Sequence, residues 1–462
     1  MRPAREAKRG RTHLLIGAAV LVVVVVVVAA AALLANGGSN RSAEAAPESP
    51  PAAAPTLSVV PIGDTAPLPT SAGLAAALRQ PLANPDLGAL TGRVTDATTS
   101  TELWQQGSTA PMVPASTNKV LTAGAALLTL GRDARQTTKV VAGDQPGVIV
   151  LVGGGDPTLS SAPPGEETLY RNAARIYDLA AQVRASGTTV TAIQVDISAF
   201  SGPSLAPGWD PADILGGDVA PIEAVMVDAG RTQPLTPESV RSFTPALDAG
   251  RVLAGALNID PKAVTMASVP PAPGGRQLAS VQSAPLMERL NEMMNHSDNV
   301  MAECIAREVA VATGRPASFG DAVQAVTSRL GAAGVDMTGA RLMDGSGLSV
   351  DDRLTAKTLD DVIGAAAGPL QPAMRPLLDA LPIAGGSGTL SNRYIDDQTD
   401  DAAGWLRAKT GSLTGINTLA GILTDMSGRV LTFALMSNNA GPTGRTALDA
   451  LAATLRSCGC AA

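Results

Sequence analysis

The sequence predicts a mixed α/β (α+β) fold: an antiparallel sheet drawn from both ends of the folded part, flanked by helices, and interrupted by a β-rich insert. Three observations predict it. Strand-like hairpin patterns stand near residue 90 and again near residue 430. Apolar residues at helical period fill Leu286 to Ala312 and Phe319 to Leu330 between them. From Thr137 to about Pro273 the texture changes to short Val-containing strands separated by Pro and Gly turns.

Taken in order, Gly88 to Val94, a polar turn around Asp96 to Ser100, and Glu102 to Gln105 predict the first hairpin. A helix follows from about Ser116 to Leu130, with Gly131 as its stop signal. The insert offers strands at Val148 to Val152, Val190 to Ile197 and Val264 to Val269, and one helix over Glu166 to Ala185. Near the end, Trp405 to Lys409 and Thr418 to Thr424 read as strands. Met426 to Arg429 is a turn, Val430 to Met436 pairs back, and a helix over Gly444 to Arg456 closes the fold. Aromatic residues are only 2% of the 462-residue chain, so the core is built from Ala, Val, Leu and Ile.

Residues 1–13 carry five Arg or Lys and one Glu and are expected to be a cytoplasmic basic segment. Residues 14–35 hold no charge over 22 positions, enough for a span of ~20 apolar residues. With basic residues in front, the positive-inside rule makes this a transmembrane signal anchor at the plasma membrane with the remainder extracytoplasmic. Secretion after signal cleavage is the alternative. Residues 36–75, rich in Ala, Pro and Ser, are expected to be a linker. Residues 76–136 and 276–462 then form a catalytic domain, and 137–275 the inserted β-rich domain.

Composition excludes several chemistries. There are two histidines, His13 and His296, so a three-His zinc site is impossible, and no His/Cys cluster has metal spacing. No metal and no cofactor are expected. Beyond residue 11 the charge balance is -11, which argues against nucleic-acid binding. Of the three cysteines, Cys304 lies in an apolar helical pattern and is expected to be a buried thiol. Pairing among Cys304, Cys458 and Cys460 stays open.

Three motifs carry chemistry. Only Lys119 among the lysines has a serine three residues before it, in Ser116-Thr117-Asn118-Lys119. A helix brings positions i and i+3 onto one face. Ser116 would sit at the helix amino end, where free N–H groups favour an oxyanion, and a neutral Lys119 could take its proton. Burial and a second cation are what lower a lysine pKa to that point. Ser297-Asp298-Asn299 offers a hydroxyl and, two residues on, an amide. Lys409-Thr410-Gly411-Ser412 follows a strand, and Gly411 permits close approach to the backbone. Alternation puts Lys409 and Gly411 on one face and Thr410 on the other, so the strand must bend or its edge must line the cleft.

In this order the motifs are the S-x-x-K, S-D-N and K-T-G set of penicillin-binding proteins and serine β-lactamases. The chain resembles the class C low-molecular-mass penicillin-binding proteins, D-alanyl-D-alanine carboxypeptidase/endopeptidases of the DacB or penicillin-binding protein 4 type. The resemblance also rests on Gly153 to Leu159, Ala206 to Trp209, Asp344 to Ser349, Leu381 to Gly385 and Gly388 to Leu390. It implies a β-lactamase/transpeptidase-like domain with an insert between the first and second motifs, where 181 positions separate Ser116 from Ser297.

The same resemblance implies the roles. Ser116 is the nucleophile that forms an acyl-enzyme, Lys119 its base, and Ser297 a proton relay. Asn299 binds the substrate amide side. Lys409, Thr410 and Ser412 hold the terminal carboxylate, and the backbone N–H groups of Ser116 and Ser412 form the oxyanion hole. Asp156 resembles the acid that meets a stem-peptide amino group, its other reading being a turn residue before Pro157. His296 points away from Ser297 and has no part. The implied activity is serine-type D-Ala-D-Ala carboxypeptidase, with DD-endopeptidase activity as a further outcome. The partners are peptidoglycan stem peptides, with β-lactams as covalent inhibitors. The alternatives are a β-lactamase or esterase on the same scaffold, or a silent cell-wall-binding sensor.

Overall fold

The computed structural model describes residues 66–272 and 274–458. The basic segment, the apolar run over 14–35 and most of the expected linker lie outside the described residues. Among those described, no helix is long and apolar enough to cross a membrane.

The first helix, α1 (Ser71–Leu82), starts inside the stretch expected to be linker up to residue 75. Thr70 caps it by accepting from the Gly73 amide at 3.1 Å, and Leu74 and Leu78, one turn apart, are buried. An Ala-rich composition had concealed this two-leucine stripe. The hairpin follows as β1 (Ala89–Asp96) and β2 (Glu102–Gln106). A tight 3-10 turn over Ala115–Asn118 leads into α2 (Lys119–Thr129), which is buried along most of its length.

The second sheet is made by β3 (Thr137–Ala142), β4 (Val148–Val152), β5 (Ala192–Asp196), β6 (Val264–Met266) and β7 (Gln277–Gln282), in the order β6-β5-β4-β3-β7. The pairs β4–β5 and β5–β6 are parallel, the others antiparallel. Strand β7 lies past the boundary expected at 275. Two helices, α3 (Ile176–Ala185) and α4 (Pro245–Leu257), share an apolar core with this sheet, so the region is α/β rather than simply β-rich. Parallel neighbours need crossovers, and helices supply them. The helix expected from Glu166 starts only at Ile176. Before it, Tyr170 is drawn inward and Asn172 takes φ +50°, outside the helical region.

Next come α5 (Leu286–His296), α6 (Asn299–Ala312), α7 (Phe319–Ala332) and α8 (Ala356–Ala367). The helical period read over Leu286 to Ala312 is divided between two helices by a break at Ser297, whose φ is +57°. Asp298 then caps α6 by accepting from the Met301 amide at 2.9 Å. Cys304, in α6, is a free buried thiol. Last are β8 (Leu406–Leu413), β9 (Ile416–Thr424), β10 (Val430–Asn438) and α9 (Gly444–Ser457).

The main sheet has the order β2-β1-β10-β9-β8 and is antiparallel throughout. Its two ends of sequence meet where Ala89 pairs with Asn438 and Asp96 with Leu431. On one face, α1 and α9 bury Leu74, Leu78, Leu448 and Leu451 against Val94, Phe433 and Leu435. On the other, α2, α6, α7 and α8 form the largest apolar cluster. Strand β8 is an edge. Its first half is covered by the segment around Pro382 to Ala384, where Ala384 donates to the Leu406 carbonyl and Ala408 to the Pro382 carbonyl at 3.0 Å each. From Lys409 onward that edge is open.

Helices α5 and α6 are joined by a buried ion pair, Arg289 with Glu308. The Arg289 guanidinium also donates to the carbonyls of Ala284 and Ala134 at 3.1 Å. Removing one member leaves a buried charge unpaired. Glu308→Ala is expected to lower stability by about 3–5 kcal/mol, read as a shift of the urea unfolding midpoint.

Candidate active site

The turn before α2 is held under constraint. Ala115 has φ +46° although it is not glycine, a conformation that persists only when surroundings enforce it. Pro114 contributes its carbonyl to two hydroxyls, Thr117 Oγ1 at 2.6 Å and Thr418 Oγ1 at 2.7 Å. A Cβ on Gly411 would stand 2.9 Å from the Ser116 nitrogen, and one on Gly347 only 1.9 Å from the Ala115 carbonyl oxygen. Only glycines let β8 and the 344–349 loop press this closely on the turn. Ser116 therefore sits in the 3-10 turn before α2, not as a side-chain cap of that helix.

Lys119 is fully buried, and its Nζ donates to Ser116 Oγ at 2.9 Å, Asn299 Oδ1 at 2.6 Å and the Ser346 carbonyl at 2.9 Å. The Asn299 amide is oriented by its own donation to the Asp218 carbonyl at 3.0 Å, which fixes Oδ1 toward the lysine. Burial pushes Lys119 down to about 8, against the pull of the Asp344, Glu303 and Asp298 carboxylates. Burial, not the second cation expected from the sequence, leads that shift. A neutral amine keeps two N–H bonds and one lone pair. Two of its three partners, Asn299 Oδ1 and the Ser346 carbonyl, only accept. Once deprotonated, the lysine must aim its lone pair at the third, the Ser116 hydroxyl.

The sequence did not single out Ser346 for this contact. Its loop is folded around Asp344, which accepts from the amides of Ser346, Gly347 and Ser349 and from Trp209 Nε1. Glu303 on α6 accepts from the Gly345 amide at 3.0 Å. Burial, followed by Asp344, raises Glu303 to about 7 and Asp352 to about 10. The paired glycines of Asp344-Gly345-Ser346-Gly347 were the available signal.

Ser297 occupies the left-handed break between α5 and α6, and Lys409 Nζ donates to its Oγ at 2.9 Å and to the Thr410 carbonyl at 2.8 Å. Burial, then the positive Lys119 and Arg393, push Lys409 well below an ordinary lysine. Beside Ser297, Asp298 is buried and takes bonds from Tyr170 Oη at 2.5 Å and Arg231 at 3.3 Å. Against the penalty of burial, the Arg231 and Arg241 guanidiniums hold its carboxyl below the usual range. Neither arginine was legible as a site residue in the sequence.

Ser116, Ser297, Asn299, Thr410 and Ser412 all face one cleft of about 1200 Å³. Thr410 and Ser412 reach it because β8 presents its open edge there. Asp156 is not brought to this cleft: its carboxyl is buried and accepts from the Thr158 amide at 2.9 Å and hydroxyl at 2.6 Å, closing its own turn. His296 also lines the cleft but is mostly exposed and pairs with Glu292 at 3.2 Å. Among the described residues no group of His, Cys, Asp and Glu has the arrangement of a metal site.

A serine and a buried lysine on one turn, faced by the edge strand of an antiparallel sheet, define an active-site serine hydrolase. Residues 74–239 and 231–456 match the D-Ala-D-Ala carboxypeptidase 3 (S13) family, and residues 1–61 match the N-terminal domain of Rv3627c-like carboxypeptidases. The chain is 67% identical over 407 residues to carboxypeptidase DacB of Mycolicibacterium smegmatis, covering 87% of this chain and 88% of that one. It is also 67% identical over 405 residues to carboxypeptidase Rv3627c of Mycobacterium tuberculosis, covering 87% of each. In fold it is similar to penicillin-binding protein 4 of Haemophilus influenzae, with a TM-score of 0.69 at 23% identity over 84% of this chain and 98% of that one. The chain belongs to the D-Ala-D-Ala carboxypeptidase 3 (S13) family, and is a serine-type D-Ala-D-Ala carboxypeptidase.

The Gly347–Ala115 contact gives a test of how the nucleophile is held. Gly347→Ala should displace the turn, and a displacement near 1 Å costs about 100-fold in rate. D-Ala release from a pentapeptide, with circular dichroism to check the fold, measures it.

Proposed function

We propose that this carboxypeptidase acts on peptidoglycan stem peptides through an acyl-enzyme on Ser116, with Lys119 as base. The observation that carries the reading is the lysine's set of partners, which leaves its lone pair no direction but the serine. Neutral Lys119 takes the Ser116 proton as Oγ attacks the carbonyl carbon of the penultimate D-Ala. The backbone N–H groups of Ser116 and Ser412 receive the developing oxyanion, where one lost donor typically costs ~3–4 kcal/mol. The C–N bond then breaks. Ser297, between Lys409 and the cleft, passes a proton to the leaving amine, and D-Ala departs. Water completes the cycle by the reverse route, with Lys119 again accepting a proton.

Asn299 holds the substrate's amide side, Ser412 donates to its terminal carboxylate, and Thr410 lies at the same end of the cleft. Lys409 is buried without an acidic neighbour among its hydrogen-bond partners. An arriving carboxylate supplies the missing counter-charge, favouring the ammonium form of Lys409 and disfavouring a second cation at Lys119. β-Lactams present a strained amide and a carboxylate to the same groups and acylate Ser116. The cleft volume supports endopeptidase action as well, since it exceeds the ~300–1,000 Å³ of ordinary small-molecule pockets. The uncharged run 14–35 behind five basic residues supports a single-pass plasma-membrane anchor, with the enzyme outside. Residues between that run and α1 then act as its spacer.

Two experiments test this. Ser116→Ala should abolish covalent labelling by fluorescent penicillin as well as release of D-Ala from a pentapeptide and of monomer from a crosslinked dimer; persistent labelling removes Ser116 from its role. Because the neutral lysine is the active form, acylation should rise as pH passes upward through about 8. A single group of that pKa gives about a five-fold increase from pH 7 to pH 8 and a plateau above pH 9. Stopped-flow acylation across that range shows it, and a flat profile excludes Lys119 as the base.

A further inference from the structure

We propose that Thr389 is a further substrate-binding residue, donating its hydroxyl to the terminal carboxylate and so setting the preference for a free carboxy terminus. The proposal rests on the reading that the Thr410 side of the cleft receives that carboxylate.

The donors at this end of the cleft are already committed in an informative way. Thr410 Oγ1 donates to Thr389 Oγ1 at 2.8 Å. The Thr410 proton is therefore spent on Thr389, and the Thr389 proton remains for a third group. Lys409 spends two of its bonds on Ser297 and the Thr410 carbonyl. Arg393, also on the cleft wall, is bound through its guanidinium to Asp449, including Nε at 2.9 Å. Thr389 itself lines the cleft and is half-buried.

Its position is built, not incidental. Gly388 has φ +55°, and a Cβ there would stand 2.7 Å from both the carbonyl and side-chain oxygens of Asn295. Ser387 Oγ donates to Asn295 Oδ1 at 3.1 Å and accepts from the Ile383 amide at 3.1 Å. Leu390, on the other side, is fully buried. The turn is thus pinned to the end of α5 and to the segment that covers the first half of β8. It delivers Thr389 beside Thr410, where that cover stops and the strand edge opens. In a chain of hydroxyls each donor polarises the next, so Thr410 strengthens the bond that Thr389 gives to an anion.

The test uses two thioester substrates with one acyl group. In one the thiol leaving group carries a free carboxylate; in the other that carboxylate is methylated. The activated acyl group reports turnover even when binding is weak. In Thr389→Val, kcat/KM for the acid should fall about 10- to 100-fold, the size of a hydrogen bond to a charged group. The methyl ester should change less than about two-fold, and Thr389→Ser should restore most of the acid's rate. Thr389→Ala, which adds no bulk, should repeat the loss. An unchanged acid-to-ester ratio in Thr389→Val and Thr389→Ala overturns the proposal, as does an equal fall for both substrates. Thr410→Val separates the two levels: if it alone lowers the ratio, Thr389 has no part but the carboxylate reading stands. If no variant lowers the ratio, the carboxylate reading itself fails.

Discussion

The active site depends on the direction of a lone pair. Burial alone lowers Lys119 without saying where its lone pair points once the proton is lost. The Ser346 carbonyl and Asn299 Oδ1 take both remaining N–H bonds, and neither can donate in return. In the proposed mechanism the lone pair is therefore aligned before substrate arrives, and no reorganisation is needed at the moment of proton transfer. Everything around it maintains those two acceptors. Asp344 and Glu303 hold the loop that presents the Ser346 carbonyl, and Asp218 orients the Asn299 amide.

Burying that many charges has a cost that the protein spreads out. Asp352 is raised to about 10 and so is protonated at neutral pH, while Glu303 stands at about 7. The carboxylates near Lys119 are thus not all ionised together. Glu303, one of the carboxylates that pull Lys119 upward, is only partly ionised at neutral pH, and its pull on the lysine is reduced. The two lysines obey the same constraint: after burial, the charge on Lys119 is what most disfavours charge on Lys409.

The sequence made the reactive groups legible and left their supports hidden. Ser116 and Lys119 are three positions apart, so local helical geometry is enough to pair them. Lys409-Thr410-Gly411 follows an evident strand, and the closing hairpin and helix were readable from period alone. The break at Ser297 was not, because left-handed backbone leaves no mark on apolar periodicity across Leu286 to Ala312. Helix α1 was obscured by the Ala and Pro around Leu74 and Leu78. The Ser346 and Asp218 acceptors are backbone carbonyls, to which residue type gives no guide. Asp156 shows how a motif can carry two readings: of the acid and the turn residue it offered, the carboxyl takes the second and closes its own turn with Thr158. Arg231 and Thr389 reach the cleft only through tertiary contacts between segments distant in the chain.

The bond from Asn299 to the Asp218 carbonyl reaches into the stretch of chain inserted between the first two motifs, and so do those from Tyr170 and Arg231 to Asp298. That stretch is more than an ornament hung on an independent catalytic engine. Its loops act as a brace for the Ser297–Asn299 bend, and cutting them away would free the amide that steers the lysine. An evolutionary trimming of the insert, or a ligand prising it aside, would thus be felt as slack in the base before any change in the width of the opening.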